Sequence, residues 1–328
     1  MDGRRGKMIQ PAVCDICGGG TFHLRVSLRF EGARDPFTLW RCDECGVLMH
    51  WPRLESEQLR DQYDSDYYIF KEPPLRRWSR TAQLYLEHLH PWEARTQGRR
   101  LLDVGCACGE LLALARERGW DAQGIELSPH AAAVARKRFG LPVSAGTLEE
   151  QDGRLGIFDV VIATDVIEHV PSPRRFVQSI RSRLNPDGVA ILETPNWGSP
   201  WRRFGGRRWL GYNPFHIFLF NQPALAHLMR SCGFDSCVFT TSTHVAHRRW
   251  GDRPEWAGIL DWLPAGARWR CQRWLNHVSS RRSGEAFPCE PPASLDEALQ
   301  CIERAGESPF PRRGFLNNDN LAVIARRP

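Results

Sequence analysis

No stretch of the chain approaches the roughly 18 consecutive apolar residues that a bilayer-spanning helix needs, so no transmembrane helix is expected. The opening segment, MDGRRGKMIQP from Met1 to Pro11, has no apolar core, and no secretory signal is expected from it. Together these absences predict a reducing cytoplasm, where the 11 cysteines are not expected to pair as disulfides. Lysine is nearly missing. It stands only at positions 7, 71 and 137, so arginine supplies 41 of the 44 basic residues. That skew, with 13 tryptophans, reads as genomic base composition as much as selection for a basic surface. The net charge of +6 is therefore weak grounds for a nucleic-acid partner. A length of 328 residues predicts about two domains.

What the cysteines do is written in their spacing. Cys14-Asp-Ile-Cys17-Gly18 and Cys42-Asp-Glu-Cys45-Gly46 are two copies of one pattern, with 24 residues between the pairs. Two residues between cysteines let one tight turn aim both sulfurs at one ion, and the following glycine permits the backbone that turn requires. Four thiolates leave a tetrahedral shell closed, so Cys14, Cys17, Cys42 and Cys45 predict a structural rather than a catalytic Zn²⁺. His23 to Phe30 and Phe37 to Arg41 read as strands of a zinc ribbon within residues 1–55.

The stretch that organises the rest is Arg99 to Leu127. Leu101, Leu102 and Val104 predict a strand buried on both faces. Asp103-Val-Gly105-Cys106-Ala107-Cys108-Gly109 breaks it, a helix follows from Glu110 to Arg118, and a second strand from Ala122 to Leu127 carries Glu126 near its end. A glycine turn at the carboxyl end of a first strand is where open α/β sheets bind ligands. An acid 21 residues after Gly105 can accept hydrogen bonds from both ribose hydroxyls. The inner glycine pair of a dinucleotide loop, G-x-G-x-x-G, is absent. The turn instead resembles that of the class I S-adenosylmethionine (SAM) methyltransferases, D-x-G-x-G-x-G, with Ala107 in place of the middle glycine.

That resemblance implies a SAM-binding Rossmann-like α/β sheet of order 3-2-1-4-5-7-6 whose last strand is antiparallel. It implies a cofactor site of Asp103, Gly105, Cys106, Ala107, Gly109, Glu126 and Leu127, with Leu148 and Glu149 beside the adenine after a third strand from Pro142 to Gly146, a solvated surface acid being the other reading of Glu149. The strongest strand, Phe158 to Thr164, runs into Asp165-Val-Ile-Glu168-His169-Val170, which resembles the segment lining the methyl-transfer pocket of the same enzymes. Asp165 joins the cofactor set; Glu168 and His169 join the catalytic candidates. Ser128-Pro129 and Ser172-Pro173 predict helix starts. Arg174, Arg175, Arg181 and Arg183 are expected to form a solvated helix face. Asn185 to Gly188 reads as a turn before strand five, Val189 to Glu193.

Pro195 to Phe220 is irregular and rich in Trp, Arg, Gly and Pro, and such long insertions are usually functional. His216 matches a family histidine there. Its readings are a proton acceptor for the methyl acceptor, or a packed imidazole bonded to backbone. Tyr63, Tyr67 and Tyr68, within residues 56–98, read either as a flap over the cofactor or as linker packing; this Y-x-x-x-Y-Y run between a ribbon and a SAM fold looks like bacterial methyltransferases of sugar and polysaccharide metabolism. The catalytic domain is expected at 99–243 plus 319–328. The Trp- and Arg-rich insertion 244–318 is expected as a lid, with peripheral membrane contact through 250–278 as the other reading. The expected partner is a small-molecule acceptor hydroxyl, of a sugar, glycolipid or other secondary metabolite. The alternatives are a zinc-ribbon RNA methyltransferase, disfavoured because the ribbon has few paired basic and aromatic positions, and a non-catalytic zinc-ribbon adaptor.

Overall fold

The computed structural model describes residues 10–30, 36–53, 74–96, 98–151, 153, 155–199, 202, 206–209, 211–242, 294–306 and 320–328. Tyr63, Tyr67, Tyr68 and the segment 250–278 lie outside the described residues.

In chain order the elements are β1 (Phe22–Leu28), β2 (Phe37–Cys42) and β3 (Leu48–His50), then α1 (Pro74–Leu84), which runs on into a π turn (Tyr85–Leu89) and a 3-10 turn (His90–Trp92). There follow β4 (Arg100–Val104), α2 (Glu110–Glu117), β5 (Asp121–Glu126), α3 (Pro129–Phe139), β6 (Val143–Ala145), β7 (Phe158–Thr164), α4 (Pro173–Ser182) and β8 (Leu184–Pro195). The chain closes with β9 (Phe218–Leu219), α5 (Gln222–Ser231), β10 (Ser236–Ser242), α6 (Leu295–Gly306) and β11 (Asn320–Arg326).

Seven strands form one sheet in the order β6-β5-β4-β7-β8-β11-β10. Numbered within the sheet this is 3-2-1-4-5-7-6, the expected order. β4, β5, β6, β7 and β8 are parallel, and β11 is antiparallel to both β8 and β10. The central strand β7 buries Val160, Val161, Ile162 and Ala163 completely, as a strand covered on both faces must. One layer, with α1, α2 and α6, shares a core of Trp78, Tyr85, Leu112, Trp120, Ile162 and Ile191. The other holds Phe176, Ile180, Leu192 and Leu228 on α4, β8 and α5, with Phe234 just beyond α5.

Local chemistry sets the boundaries. Ser128 accepts the Ala131 N–H at 3.3 Å ahead of Pro129, and Gly140 ends α3 at φ 63°. Ser172 occupies the corresponding position before α4 but makes no side-chain capping bond, and the helix starts on Pro173 alone. The arginines of α4 are a correction. Arg175 is exposed, but Arg174 donates to Ile16 O at 2.6 Å, Arg181 to Gly233 O and Arg183 to Leu155 O, so three of the four fasten backbone carbonyls of neighbouring segments. β8 also begins earlier than expected. The Asn185–Gly188 turn is carried inside it as a bulge, with Asp187 at φ 62°, because Arg327 pairs with it on both sides (Asp187 N to Arg327 O, Arg327 N to Gly188 O).

The second sheet is the smaller one, β1-β2-β3-β9, antiparallel throughout. Its last strand comes from the far side of the sequence, with Leu48 opposite Leu219 and Met49 opposite Phe218. Ile16, Phe22, Val47 and Met49 from the amino-terminal part lie in the same buried cluster as Ile217, Phe218, Phe220 and Leu225.

Candidate active site

Three parallel strands end together at the glycine turn. Gly105 N and Cys106 N both donate to Ile125 O, at 2.8 and 3.1 Å, which pins the turn against β5. Gly105 stands at φ 83°, and a Cβ there would lie 2.5 Å from Val166 Cγ2. Gly109 stands at φ 84° and opens α2 without room for a Cβ beside Ala135 and Leu141. Ala107 also adopts positive φ, 48°. The backbone thus takes the left-handed conformation at the position where the resembling family carries its middle glycine, although this chain has a side chain there.

Glu126 faces this turn. Its Oε2 accepts Ala107 N–H at 2.8 Å and its Oε1 accepts Ser128 N–H at 2.8 Å. Each carboxylate oxygen has a second lone pair, so two backbone bonds leave acceptor capacity for a ligand. Burial raises the pKa of Glu126. Asp103, 3 % exposed, is pushed up to about 7 by burial, with the nearby Glu126 charge adding to it. Gly146 N donates to Glu126 O at 2.9 Å, which draws the end of β6 to the same place; beyond it come buried Leu148 and half-buried Glu149. Cys106 is buried and Leu127 half-buried on the same rim.

The segment after β7 forms the adjoining wall. Asp165 takes φ 54°. Glu168 is fully buried; Thr194 Oγ1 donates to its Oε2 at 2.9 Å, and among the described residues its Oε1 has no hydrogen-bond partner. Burial, reinforced by Asp165, raises the pKa of its carboxyl well above the usual range. His169 and His216 meet edge to face with centroids 4.7 Å apart. His169 Nδ1 lies 3.0 Å from Phe215 O and His216 Nδ1 lies 2.8 Å from Gly211 O. A carbonyl only accepts, so both Nδ1 atoms carry hydrogen and Nε2 is the basic nitrogen of each neutral ring. Burial lowers His169 to about 4; burial and then the neighbouring His169 lower His216 to about 3. Glu168, His169 and His216 are thus brought together: their ligand atoms lie within 4.8 Å of one another, close enough to share a proton or hold a divalent cation.

Two further residues, His88 and Asn320, carry no sequence signal of their own, and both meet Glu193. His88, on the π turn, puts Nε2 2.6 Å from Glu193 Oε2. Asn320 donates its amide to Glu193 Oε1 at 2.8 Å and to Asp165 Oδ1 at 3.3 Å. Asp165 N donates to Glu193 O. The one hint was Glu193 itself, an acid at the carboxyl end of an otherwise apolar strand. Single-turn π segments recur at functional sites.

The four cysteines of the ribbon converge. Cys14 Sγ and Cys45 Sγ are 3.7 Å apart, and Cys17 Sγ and Cys42 Sγ are 3.5 Å apart. A zinc tetrahedron with Zn–S of about 2.3 Å has edges of about 3.8 Å. Gly18 and Gly46, each at φ 80°, close the two turns with N–H bonds to Cys14 O and Cys42 O. The set fits a structural zinc ion.

Residues 76–237 match the family described as "Methyltransferase domain" (Methyltransf_23). Among curated proteins, the chain is 36% identical over 104 residues to a mitochondrial ubiquinone biosynthesis O-methyltransferase of Schizosaccharomyces pombe, covering 30% of this chain and 38% of the relative. It is 33% identical over 109 residues to the ubiquinone biosynthesis O-methyltransferase of Haemophilus ducreyi, covering 30% and 46%. The chain thus spans less than half the length of these curated relatives. Among solved structures, a SAM-dependent methyltransferase from Archaeoglobus fulgidus superposes with a TM-score of 0.48 at 17% identity, covering 80% of this chain and all of that one. Residues 76–237 therefore match a methyltransferase domain family, and the sheet order and the glycine turn agree with that match.

Proposed function

We propose that the protein is a SAM-dependent methyltransferase acting on a hydroxyl oxygen of a small molecule. The observation that carries this is the bond between Glu126 and the amide of Ala107, inside a turn held at positive φ at three places. It places a carboxylate with spare lone pairs against a tight turn whose ends, Gly105 and Gly109, carry no side chain. Bound there, SAM supplies an electrophilic methyl group on a sulfonium. Glu126 holds the ribose, Asp103 faces the methionine amino group, and Leu148 and Glu149 flank the base. Among the described residues no helix is long and apolar enough to cross a membrane, and nothing in the reaction requires one.

The remaining task is to orient the acceptor and receive its proton. His216 is the first candidate base and His169 the second, with Glu168 beside them. Both imidazoles are neutral at neutral pH, which is the form that accepts. Their low proton affinity matches an acceptor whose hydroxyl is itself acidic, such as a phenol, better than a sugar alcohol. The relatives named as O-methyltransferases support oxygen as the acceptor atom. In this reading residues 1–55 are a metal-stabilised ribbon, 99–243 plus 319–328 the catalytic unit, and 244–318 an insertion into it.

Calorimetric titration of the zinc-loaded protein with S-adenosylhomocysteine tests the first half; absence of binding refutes it. Labelled-methyl transfer across phenols, glycosides and glycolipids tests the second, with phenols expected to lead. In that assay His216→Ala keeps cofactor affinity near wild type and lowers turnover by about a hundredfold or more. Unchanged turnover removes His216 from the role.

A further inference from the structure

We infer that the metal-loaded ribbon is the element that registers the acceptor-side wall, so that the ion in the four-cysteine site governs the placement of His216 and Glu168 and leaves the cofactor turn untouched. The inference rests on the methyltransferase reading only for the words acceptor and cofactor; the coupling itself is a statement about backbone.

Both cysteine turns are bonded to the methyltransferase domain. Ile16 O, between Cys14 and Cys17, accepts from Arg174 on α4 at 2.6 Å. Gly46 O, directly after Cys45, accepts from Trp197 Nε1 at 3.3 Å and from Asn221 Nδ2 at 3.4 Å, and Asn221 also caps α5. Cys42 N donates to Val47 O and so closes the hairpin from which β3 departs. β3 then pairs with β9, and His50 N donates to Ile217 O at 2.8 Å, one residue beyond His216. On its other side that same stretch holds the wall: Ile217 N and Phe218 N both donate to Glu168 O, at 2.8 and 3.1 Å. From the sulfurs to the Glu168–His216 pair, the path is thus backbone hydrogen bonds and two short strands. The cofactor turn is anchored elsewhere, on Ile125 O and Glu126.

β3 has three residues and β9 two. Strands so short do not hold register by themselves. The neighbouring turns must fix them, and thiolate–zinc bonds are the strongest constraint available to a turn of this kind. Coupling of this kind is reciprocal: whatever the ion does for β9, β9 does for the affinity of the ion.

The test uses the full-length, zinc-loaded protein. Zinc is withdrawn with a chelator under reducing conditions, and amide hydrogen exchange and S-adenosylhomocysteine affinity are measured before and after. Exchange at Ile217 and Phe218 is expected to rise about tenfold or more, while Gly105 and Cys106 keep their protection and affinity changes less than about threefold. Unchanged protection at Ile217 and Phe218 overturns the inference, and so does a uniform rise across the whole chain. Because chelation can unfold a chain, a second arm leaves the metal in place. Phe218→Ala, remote from the ligands in sequence, is expected to speed transfer of zinc to a chromogenic chelator about tenfold, and Leu111→Ala, in the opposite layer, is expected not to. Equal rates in the two variants overturn the inference. Failure of the wild type to bind S-adenosylhomocysteine refutes the methyltransferase reading and leaves both exchange and zinc-transfer results decisive for the coupling.

Discussion

Ala107 holds a conformation its own Cβ disfavours. An L-residue in the left-handed region is held there at a cost of about 1–2 kcal/mol, and Glu126 is what holds it, through the Ala107 amide. Ala107→Gly is therefore expected to leave stability unchanged or raise it by up to about 1 kcal/mol, the relief of strain being partly offset by the greater freedom of glycine in the unfolded chain. Ala107→Val is expected to lose more than that and to weaken cofactor binding. Denaturant midpoints of the three proteins measure it, and a destabilised glycine variant contradicts the strain. Asp103 gives the second prediction at this scale. Burial and the Glu126 charge set its titration at about 7, so it is anionic above that pH and neutral below it. Since the proposed partner is a cationic amino group, S-adenosylhomocysteine affinity is expected to fall as pH drops from 8 to 6, by at most about tenfold per unit. Asp103→Asn should remove the dependence. A flat profile in the wild type takes Asp103 out of contact with the ligand.

Asp103, Gly105, Gly109 and Glu126 were legible because they sit within one βαβ turn, where spacing along the sequence is spacing in space. His88, Glu193 and Asn320 were not. They come from a π turn, a central strand and a carboxy-terminal strand, and 105 residues separate the first pair. Nothing local marks a histidine on a helix face as one that will meet an acid across a sheet.

At the scale of elements, that contact fastens α1 to the sheet. His88 is 2 % exposed and Glu193 fully buried, so His88→Ala leaves a buried carboxylate without its principal donor. Leaving a buried hydrogen-bonding group without its partner costs about 1–3 kcal/mol. His88→Gln, which retains a side-chain donor, is expected to cost less than half of that. Urea unfolding of both variants checks the ordering. If the alanine variant is no worse than the glutamine one, the pair does not anchor the helix. The arginines of α4 show why element faces were only half readable. Periodicity separated the apolar stripe of Phe176, Val177 and Ile180 from the charged side. It could not reveal that Ile16, Leu155 and Gly233 would bring carbonyls up to that charged side. The same limit hid the bulge in β8: Asn185-Pro-Asp-Gly188 carries the chemistry of a turn, and only the antiparallel partner arriving from Arg327 keeps it in the strand.

At the scale of the whole molecule, the two expected units were readable and their union was not. A ribbon of this size buries too little apolar surface to be stable by itself, and the usual remedy is the metal. Here a second remedy is present. Ile16, Phe22, Val47 and Met49 lie in one buried cluster with Ile217, Phe218, Phe220 and Leu225, and the fourth strand of the ribbon sheet comes from the α/β part of the chain. Two bodies sharing one buried cluster unfold together. The zinc-loaded protein is therefore expected to show a single cooperative thermal transition, with ellipticity of the α/β sheet and the environment of Trp40 in β2 changing at one temperature. Replacing Trp40 by Phe identifies its contribution to the fluorescence signal. Residues 1–55 prepared alone with zinc should bind the ion yet lack the slow amide exchange of β3, because Leu219 and Phe218 are missing from its edge. A ribbon that melts separately within the intact chain, or that protects β3 without β9, contradicts the shared core.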